Sequence, residues 1–329
     1  MQTKYDRKSI VVVGSINADL VAKVERIPHS GETVLGSDFQ IHSGGKGANQ
    51  AVAVARLGYP VFMIGKLGSD AFGLRLRESM SEAGVDVSAV DTVEGASGVA
   101  LIEVDPQGEN CIAVAPGANS KVSPDDIDAN IEILREAGLV LVQLEIPLET
   151  VAHLTAVCAR EHVPVILDPA PARELPPKLL REVSWFTPNE TEARFYAGGA
   201  AAQDDTGKQR DALLALGIQG LVLKLGARGV YLATSGGGDS AISGFRVKAS
   251  DTTAAGDAFN GAFAVGLMLG KDPVESARFA SAAAAVSVTR PGAQPSMASR
   301  EETEELLHRF GLSESHSRST MLPPNVVRT

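Results

Sequence analysis

From residue 70 onward the chain alternates short apolar runs with stretches of helical spacing, and that alternation leaves few folds open. Helical patterns cover 72–83, 125–137 and 148–161, while apolar runs at 139–144, 163–167, 185–187 and 221–225 read as strands. These runs are nearly continuous in apolar residues, so each strand is expected to be buried on both faces. Strands of this kind, separated by helices, form a doubly wound α/β fold: a mostly parallel sheet covered on both sides. The run at 10–14 supplies a first strand, and 301–310 a last amphipathic helix. Two pieces stand outside the rhythm. Thr33, Leu35, Phe39 and Ile41 suggest short strands, and the runs 99–104 and 111–115, joined by Asp105-Pro106-Gln107-Gly108-Glu109-Asn110, form a hairpin-like pair. Together they predict a small accessory sheet.

With 329 residues, of which 44% are hydrophobic, there is ample material for a core, and neither an internal repeat nor a linker divides the chain. The expected plan is an extension at 1–9, one α/β domain at 10–311 and a polar, disordered tail at 312–329. A net charge of −10 without a Lys/Arg run argues against nucleic acid and for a small polar substrate. The apolar run at 10–13 is too short for a signal or membrane segment, so a cytoplasmic protein with no membrane partner is expected. Cys111 and Cys158 lie in apolar surroundings with neither a CxxC spacing nor a His pair nearby. Both are expected in the core, with no disulfide or zinc site.

Three stretches carry chemistry. In Asp251-Thr252-Thr253-Ala254-Ala255-Gly256-Asp257-Ala258-Phe259-Asn260-Gly261, small residues precede a helical pattern that ends at Gly270. Backbone N–H groups at such a helix start have no intrahelical partner, and without side chains over them they form an anion site. Asp257 falls in the first turn, where a carboxylate is also an ordinary complement to the helix dipole. Ser43-Gly44-Gly45-Lys46-Gly47-Ala48-Asn49-Gln50 opens a second helix at 51–57. It is no Walker loop, because Gln40 stands where the first glycine belongs and Gly47 follows the lysine. Its glycines are expected to let a ligand reach the backbone, with Lys46 and Asn49 adding donors. Polar residues also leave buried strands at their C-terminal ends: Asn17 and Asp19, Glu145, and Asn189 to Glu192. Open α/β sheets bind ligands at those ends, although Asn17 and Asp19 would equally serve as turn caps.

Taken with Gly14-Ser15-Ile16-Asn17-Ala18-Asp19, Gln143-Leu144-Glu145, Pro169-Ala170-Pro171-Ala172-Arg173-Glu174-Leu175 and Pro188-Asn189-Glu190-Thr191-Glu192-Ala193, these motifs resemble, in this order, the PfkB family of carbohydrate kinases. Asn17, Asp19, Gly45, Lys46, Asn49 and Glu145 look like the sugar-binding set of its ribose-phosphorylating members. The resemblance implies a small β lid, built near 16–43 and 97–116, that doubles as a homodimer interface. It implies that Asp257 accepts the O5 proton of D-ribose, and that the amides of Ala254, Ala255 and Gly256 form the anion hole for phosphoryl transfer from ATP. Asn189 and Glu192 match the family's N-x-x-E motif, which acts near the phosphates and hydrated Mg²⁺. Lys224, Gly226, Gly229, Gly256 and Ser281 would border the nucleotide, although Lys224 and Ser281 depart from the residue types expected there. A potassium ion would lie beside the anion hole, bound mostly through backbone oxygens of Asp251, Thr253, Ser287, Arg290, Gly292 and Ser296.

The alternatives are a relative acting on fructose, a keto-deoxy sugar acid or a nucleoside, and a non-catalytic sugar sensor. A sugar acid would call for a positive clamp, for which Lys46 and Arg173 are candidates. A sensor has no need of Asp257, and no GxGxxG follows a strand to suggest a dehydrogenase.

Overall fold

Alternate residues of the central strands go to opposite cores. Ile10, Val12, Leu139 and Leu141 belong to one apolar cluster, while Val11, Val13, Val140 and Val142 belong to the other. The protein is described by a computed structural model over residues 8–198 and 205–311. Most of the expected N-terminal extension and the tail at 312–329 lie outside the described residues.

The first half of the chain runs β1 (Ile10–Val13), β2 (Asn17–Val24), β3 (Gly36–Gly44), α1 (Lys46–Arg56), β4 (Val61–Gly68), α2 (Ala71–Glu82), β5 (Val90–Val93), β6 (Gly98–Val104) and β7 (Asn110–Ala115). There follow α3 (Pro124–Ala129), α4 (Ile131–Glu136), β8 (Leu139–Val142), α5 (Leu148–Arg160), β9 (Val165–Leu167), α6 (Pro177–Glu182), β10 (Trp185–Phe186) and α7 (Glu190–Tyr196). The chain continues with α8 (Thr206–Ala215), β11 (Gly220–Lys224), β12 (Gly229–Thr234), β13 (Asp239–Ser243), α9 (Ala255–Met268), α10 (Pro273–Ser287) and α11 (Arg300–Arg309).

Among the described residues nine strands form the large sheet, in the order β13-β12-β11-β10-β9-β8-β1-β4-β5. It is parallel from β5 to β11, with β12 and β13 added antiparallel at one edge. On one face, α1, α9 and α10 bury Val54, Phe259, Phe263 and Phe279. On the other, α5, α6, α7 and α8 bury Leu154, Leu179, Ala193 and Leu213. The chain leaves β1 toward β4 on one side and reaches β8 on the other. The C-terminal ends of β1 and β8 therefore mark the switch point where a doubly wound sheet opens a crevice.

A second, mixed sheet has the order β3-β2-β6-β7. Asn17 and Asp19 sit in its strand β2, paired with β3 and β6, and not in a turn. Its strand β3 begins at Gly36, so Thr33 and Leu35 lie before it. Leu101, Ile112 and Val114 of this sheet are about half exposed. Cys111 is exposed on β7, against the expectation of a core position, whereas Cys158 is buried in α5. Chain reversal beside an open sheet exposes both faces of a short hairpin, which local hydropathy does not reveal. The expected helix 125–137 is two helices that part at Asn130, whose side chain donates to Asp126 O at 2.9 Å. Asparagine competes in this way with helix continuation.

The α1–α9 contact aligns the site. At Gly261 an added Cβ would meet Ala53 Cβ at 2.7 Å and Gln50 O at 2.9 Å, so the two helices touch where α9 has no side chain. Gly261→Ala is expected to destabilise by about 1–3 kcal/mol through overpacking. Gly236→Ala, with nothing within 4 Å of the new Cβ, should stay within about 0.5 kcal/mol of wild type. Urea unfolding of the two variants checks the contrast.

Candidate active site

The site is built at the switch point. Ser15, directly after β1, donates through Oγ to Glu145 Oε2, just beyond β8, which ties the two diverging strand ends together. The same Glu145 oxygen accepts from Lys46 N–H at 3.3 Å. The start of α1 docks on this junction because its glycines allow it. A Cβ on Gly45, which has φ of +89°, would lie 2.6 Å from Asn17 N, and one on Gly47 would lie 2.7 Å from Gly14 C. Gly44 leaves room for the Asp19 carboxylate, whose Oδ2 would be 2.0 Å from an added Cβ. The glycine cluster thus admits the protein's own backbone and a carboxylate, a packing role that stands beside the ligand approach expected of it.

Asp257 sits in the first turn of α9, only 5% exposed. Both its oxygens are held by α1: Asn49 Nδ2 donates to Oδ2 at 3.0 Å and Gln50 Nε2 to Oδ1 at 3.1 Å. Ala254 takes the left-handed conformation, φ +57°, to start the helix. The amide of Ala255 closes this turn on Thr252 O at 3.3 Å, so it is partly engaged and not fully free as expected. Inside the helix the amides of Gly256 and Asp257 have no carbonyl partner, since the ladder begins with Ala258 N–H on Ala254 O.

Electrostatics follow from crowding of carboxylates around two lysines. Burial pushes Asp257 up to about 6; the Lys46 ammonium opposes this, Asp168 adds to it, and the two amides work against it. Burial, followed by the charges of Glu145 and Asp257, pushes Asp19 up to about 7. Burial disfavours the Lys46 charge, yet Asp257, Asp168, Glu145 and Glu192 outweigh it and hold the ammonium above its ordinary range. Glu192 is raised by burial and by Asp168.

Two cavities meet here. One of about 390 Å³ is lined by Lys46, Asp168, Asn189, Glu192, Ala254 and Asp257, among others. The second, about 280 Å³, is apolar toward Phe245, Val247, Ala284, Ala285 and Val288 and has Ser281 on its wall. Lys224, Gly226, Ala255 and Gly256 line both, while Gly229 borders only the second. Asn189 caps α7, and its capping box occupies both Glu192 oxygens. The candidate cation residues also converge. Asp251 accepts from Thr253 N–H and Gly292 N–H at 2.9 and 2.8 Å; burial works against its charge, but these bonds hold it below the ordinary carboxylate range. Arg290 grips Glu302 through both Nη atoms and donates to Ser296 O at 3.0 Å, so its side chain fastens the loop. Ser287 and Ser296 turn their hydroxyls back to Ala284 O and Ala293 O.

Several residues of the site are not among those expected. Gln50 bridges Asp257 and Asp168, Gln143 donates to Gln50 Oε1 at 2.7 Å, and Gln294 donates to Asn49 Oδ1 at 3.3 Å. Asn119 orients Asn17 by donating to its Oδ1 at 2.7 Å. Asp168 follows β9 as Glu145 follows β8, a signal present in the sequence.

Comparison with known proteins matches this geometry. Residues 7–300 match the pfkB family carbohydrate kinases, and the chain belongs to that family. It is 42% identical over 303 residues to a ribokinase of Haemophilus influenzae, covering 92% of this chain and 99% of the relative. To a deoxyribokinase of Salmonella typhi it is 36% identical over 301 residues, covering 91% and 98%. Among solved structures, an Arabidopsis thaliana ribokinase complexed with ribose and ATP superposes with a TM-score of 0.85 at 36% identity, covering 92% of this chain and 99% of that one.

If Asp257 takes a proton from the substrate, it must be ionised. The rate is therefore expected to fall about tenfold per pH unit below about 6, the value to which burial raises this group. Lys46→Met removes the cation that opposes that rise, so the acid limb should move to higher pH. A kcat–pH profile of both proteins measures the shift.

Proposed function

We propose that this protein transfers the γ-phosphoryl group of ATP to O5 of D-ribose, giving D-ribose 5-phosphate and ADP. The observation that carries the reading is Asp257, buried and held on both oxygens by Asn49 and Gln50 at the start of α9, beside amides that lack helical partners. Phosphoryl transfer asks for positioning and charge stabilisation more than for covalent chemistry by the protein, and this arrangement offers both. The sugar lies between Asn17, Asp19, Gly45, Lys46, Asn49 and Glu145, and its O5 hydroxyl points to Asp257. Asp257 accepts the proton as O5 bonds to phosphorus. The amides of Ala254 to Gly256 face the charge that grows on the phosphoryl oxygens, with Ala255 sharing its N–H with the turn. Purine and ribose of the nucleotide occupy the apolar cavity by Phe245, Gly229 and Ser281.

No cluster of three acidic, His or Cys side chains suited to a metal occurs among the described residues. Mg²⁺ would arrive with the ATP phosphates, and Asn189 and Glu192 would reach it through water. Bound there, Mg²⁺ neutralises charge on the phosphates. The anionic Asp251, among backbone oxygens of the 287–296 loop, has the donor chemistry a potassium ion prefers. The small sheet, with Phe39, Leu101, Ile112 and Val114 exposed, serves as the lid and as a homodimer interface. No helix among the described residues is long and apolar enough to cross a membrane. The need for ATP supports the cytoplasm as the proposed place of action.

A phosphorylation assay over D-ribose, 2-deoxyribose, D-fructose and adenosine, with product identification, tests the reading. Ribose should show the highest kcat/KM, because a pocket built to pair hydroxyls leaves buried polar groups unsatisfied when one is missing or misplaced. Asp257→Asn should lower kcat by at least about 100-fold while calorimetry shows ribose binding nearly intact. Better turnover of fructose or adenosine would reassign the substrate, and near wild-type turnover by Asp257→Asn would remove the base from the mechanism.

Rates in potassium, sodium and tetramethylammonium chloride at equal ionic strength are expected to rank potassium first, because an ion at Asp251 orders the turn that supplies the anion hole. Equal rates in all three would reject a specific site.

A further inference from the structure

A polyphosphate entering the larger cavity meets fixed charge that is mostly negative: Asp168, Glu190, Glu192 and Asp257 against Lys46 and Lys224. The Lys46 ammonium is shared by charge among Asp257, Asp168, Glu145 and Glu192, while its backbone N–H donates to Glu145. Lys224 is placed differently. It ends β11, is joined to Pro188 O through its N–H at 2.9 Å, and lines both cavities at their junction. Its Nζ lies 3.0 Å from Asp168 Oδ1, and the two side chains are 12% and 3% exposed. A Cβ on Gly256 would come within 3.4 Å of the same Nζ, so the ammonium rests against the anion turn. An ammonium has three donors, and Asp168 is the one hydrogen-bond partner of the Lys224 ammonium among the described residues. Asp168 Oδ2 in turn accepts from Gln50 Nε2 at 3.0 Å, the nitrogen that also donates to Asp257.

We propose that Lys224 is a catalytic residue that contacts the phosphoryl group in transit, and that Asp168 is the positioning residue that holds it there while communicating through Gln50 with the base. The proposal rests on the kinase reading above. In the step it serves, the bond from the γ-phosphorus to the β–γ bridging oxygen breaks and its electron pair stays on ADP. The sugar O5 bonds to that phosphorus and its proton passes to Asp257. Lys224 keeps its own protons throughout and donates the two uncommitted ones to oxygens on which negative charge grows. The ion pair with Asp168 fixes the direction of the third. A buried pair of this kind is poor evidence of stability by itself, because desolvation offsets much of the attraction. Its position at the meeting of two cavities is what marks it as functional.

Lys224→Met, Lys224→Arg and Asp168→Asn are compared with the wild type, with thermal melting recorded for each. Lys224→Met should lower kcat by about 10²–10³-fold, the range for losing one preorganised donor to developing charge. By calorimetry it should bind the non-hydrolysable analogue AMP-PNP about tenfold more weakly, with ADP affinity changed by less than about twofold, because the charge-assisted contact is to the terminal phosphate. Lys224→Arg, which keeps the cation, should recover a tenth or more of the lost rate, on the order of magnitude such a contact supports. Asp168→Asn should move the acid limb of the kcat profile to lower pH, because the Asp168 charge raises the proton affinity of Asp257. If the pair is only a sheet-end brace, the variants lower melting temperature while the AMP-PNP to ADP affinity ratio and the acid limb stay in place, and the proposal is overturned. Should Lys224→Met fail to fold, Lys224→Arg and Asp168→Asn decide by the same readouts. A wild type that phosphorylates no sugar of the panel would defeat the kinase reading as well; a wild type that does, with an unchanged affinity ratio in Lys224→Met, defeats the Lys224 assignment alone.

Discussion

One side-chain nitrogen, Nε2 of Gln50, stands between the two buried carboxylates of Asp257 and Asp168, giving one hydrogen to each. Two like charges this close in a poorly solvated site would ordinarily drive one of them to protonate. The amide spaces them, Lys46 faces one and Lys224 the other, and Asp257 settles at about 6. That is a useful compromise for a base: ionised near neutrality, yet with enough proton affinity to assist as the bond to phosphorus forms. The Gln50 amide is itself oriented, since its oxygen accepts from Gln143 Nε2. The proton affinity of Asp257 therefore depends on residues from α1, β8 and β9 as much as on α9.

Such a compromise requires those elements to be held to a fraction of an ångström, and the packing is arranged accordingly. Gly47 lets α1 approach the end of β1, and Gly261 lets α9 approach α1, so both close contacts are made by backbone. Interiors packed this tightly transmit displacement, because a shift of a methyl group at one contact has no void to vanish into. The Ser15 to Glu145 bond adds a polar tie just beyond the last paired residues of β1 and β8, Val13 and Val142.

Much of this was legible in the sequence, and the remainder was not for physical reasons. Asp257 could be placed at a helix start because small residues and a helical period surround it, and Asn189 with Glu192 because they leave a buried strand and resemble the family's N-x-x-E motif; that the pair forms a capping box on α7 is seen only in the structure. Glu145 was found as a charge at the end of a buried strand; Asp168 answers the same description, directly before the Pro169 to Leu175 motif, and was missed. Asn119 is different, because it meets Ile16 and Asn17 across more than a hundred residues and no local pattern announces such a partner. Strand β4 also escapes, since Gly65, Lys66 and Gly68 interrupt its apolar run although it pairs directly with β1. The glycines before α1 stand out in the sequence, but one-dimensional information does not show which parts of the fold a missing side chain makes room for. Here the occupants are Asn17, Gly14 and Asp19.

The division of labour within the molecule follows from where each sheet ends. Asn17 and Asp19 belong to the small sheet, and Asp168, Asn189 and Lys224 of the larger cavity to the C-terminal ends of strands of the large one, while α1 and Glu145 stand between them. Charge is balanced across this boundary and not within either part. Asp19 is raised by Glu145 and Asp257 on the far side of it, and Lys46, which belongs to neither sheet, moderates both Asp19 and Asp257. On the proposed reading, a sugar whose hydroxyls bound Asp19 and Glu145 would exclude solvent from between these charges, and so would strengthen every interaction that reaches Asp257. Asp257 would then meet the phosphoryl group in surroundings already dried by the sugar, which would give the two halves of the site a physical reason to work in concert.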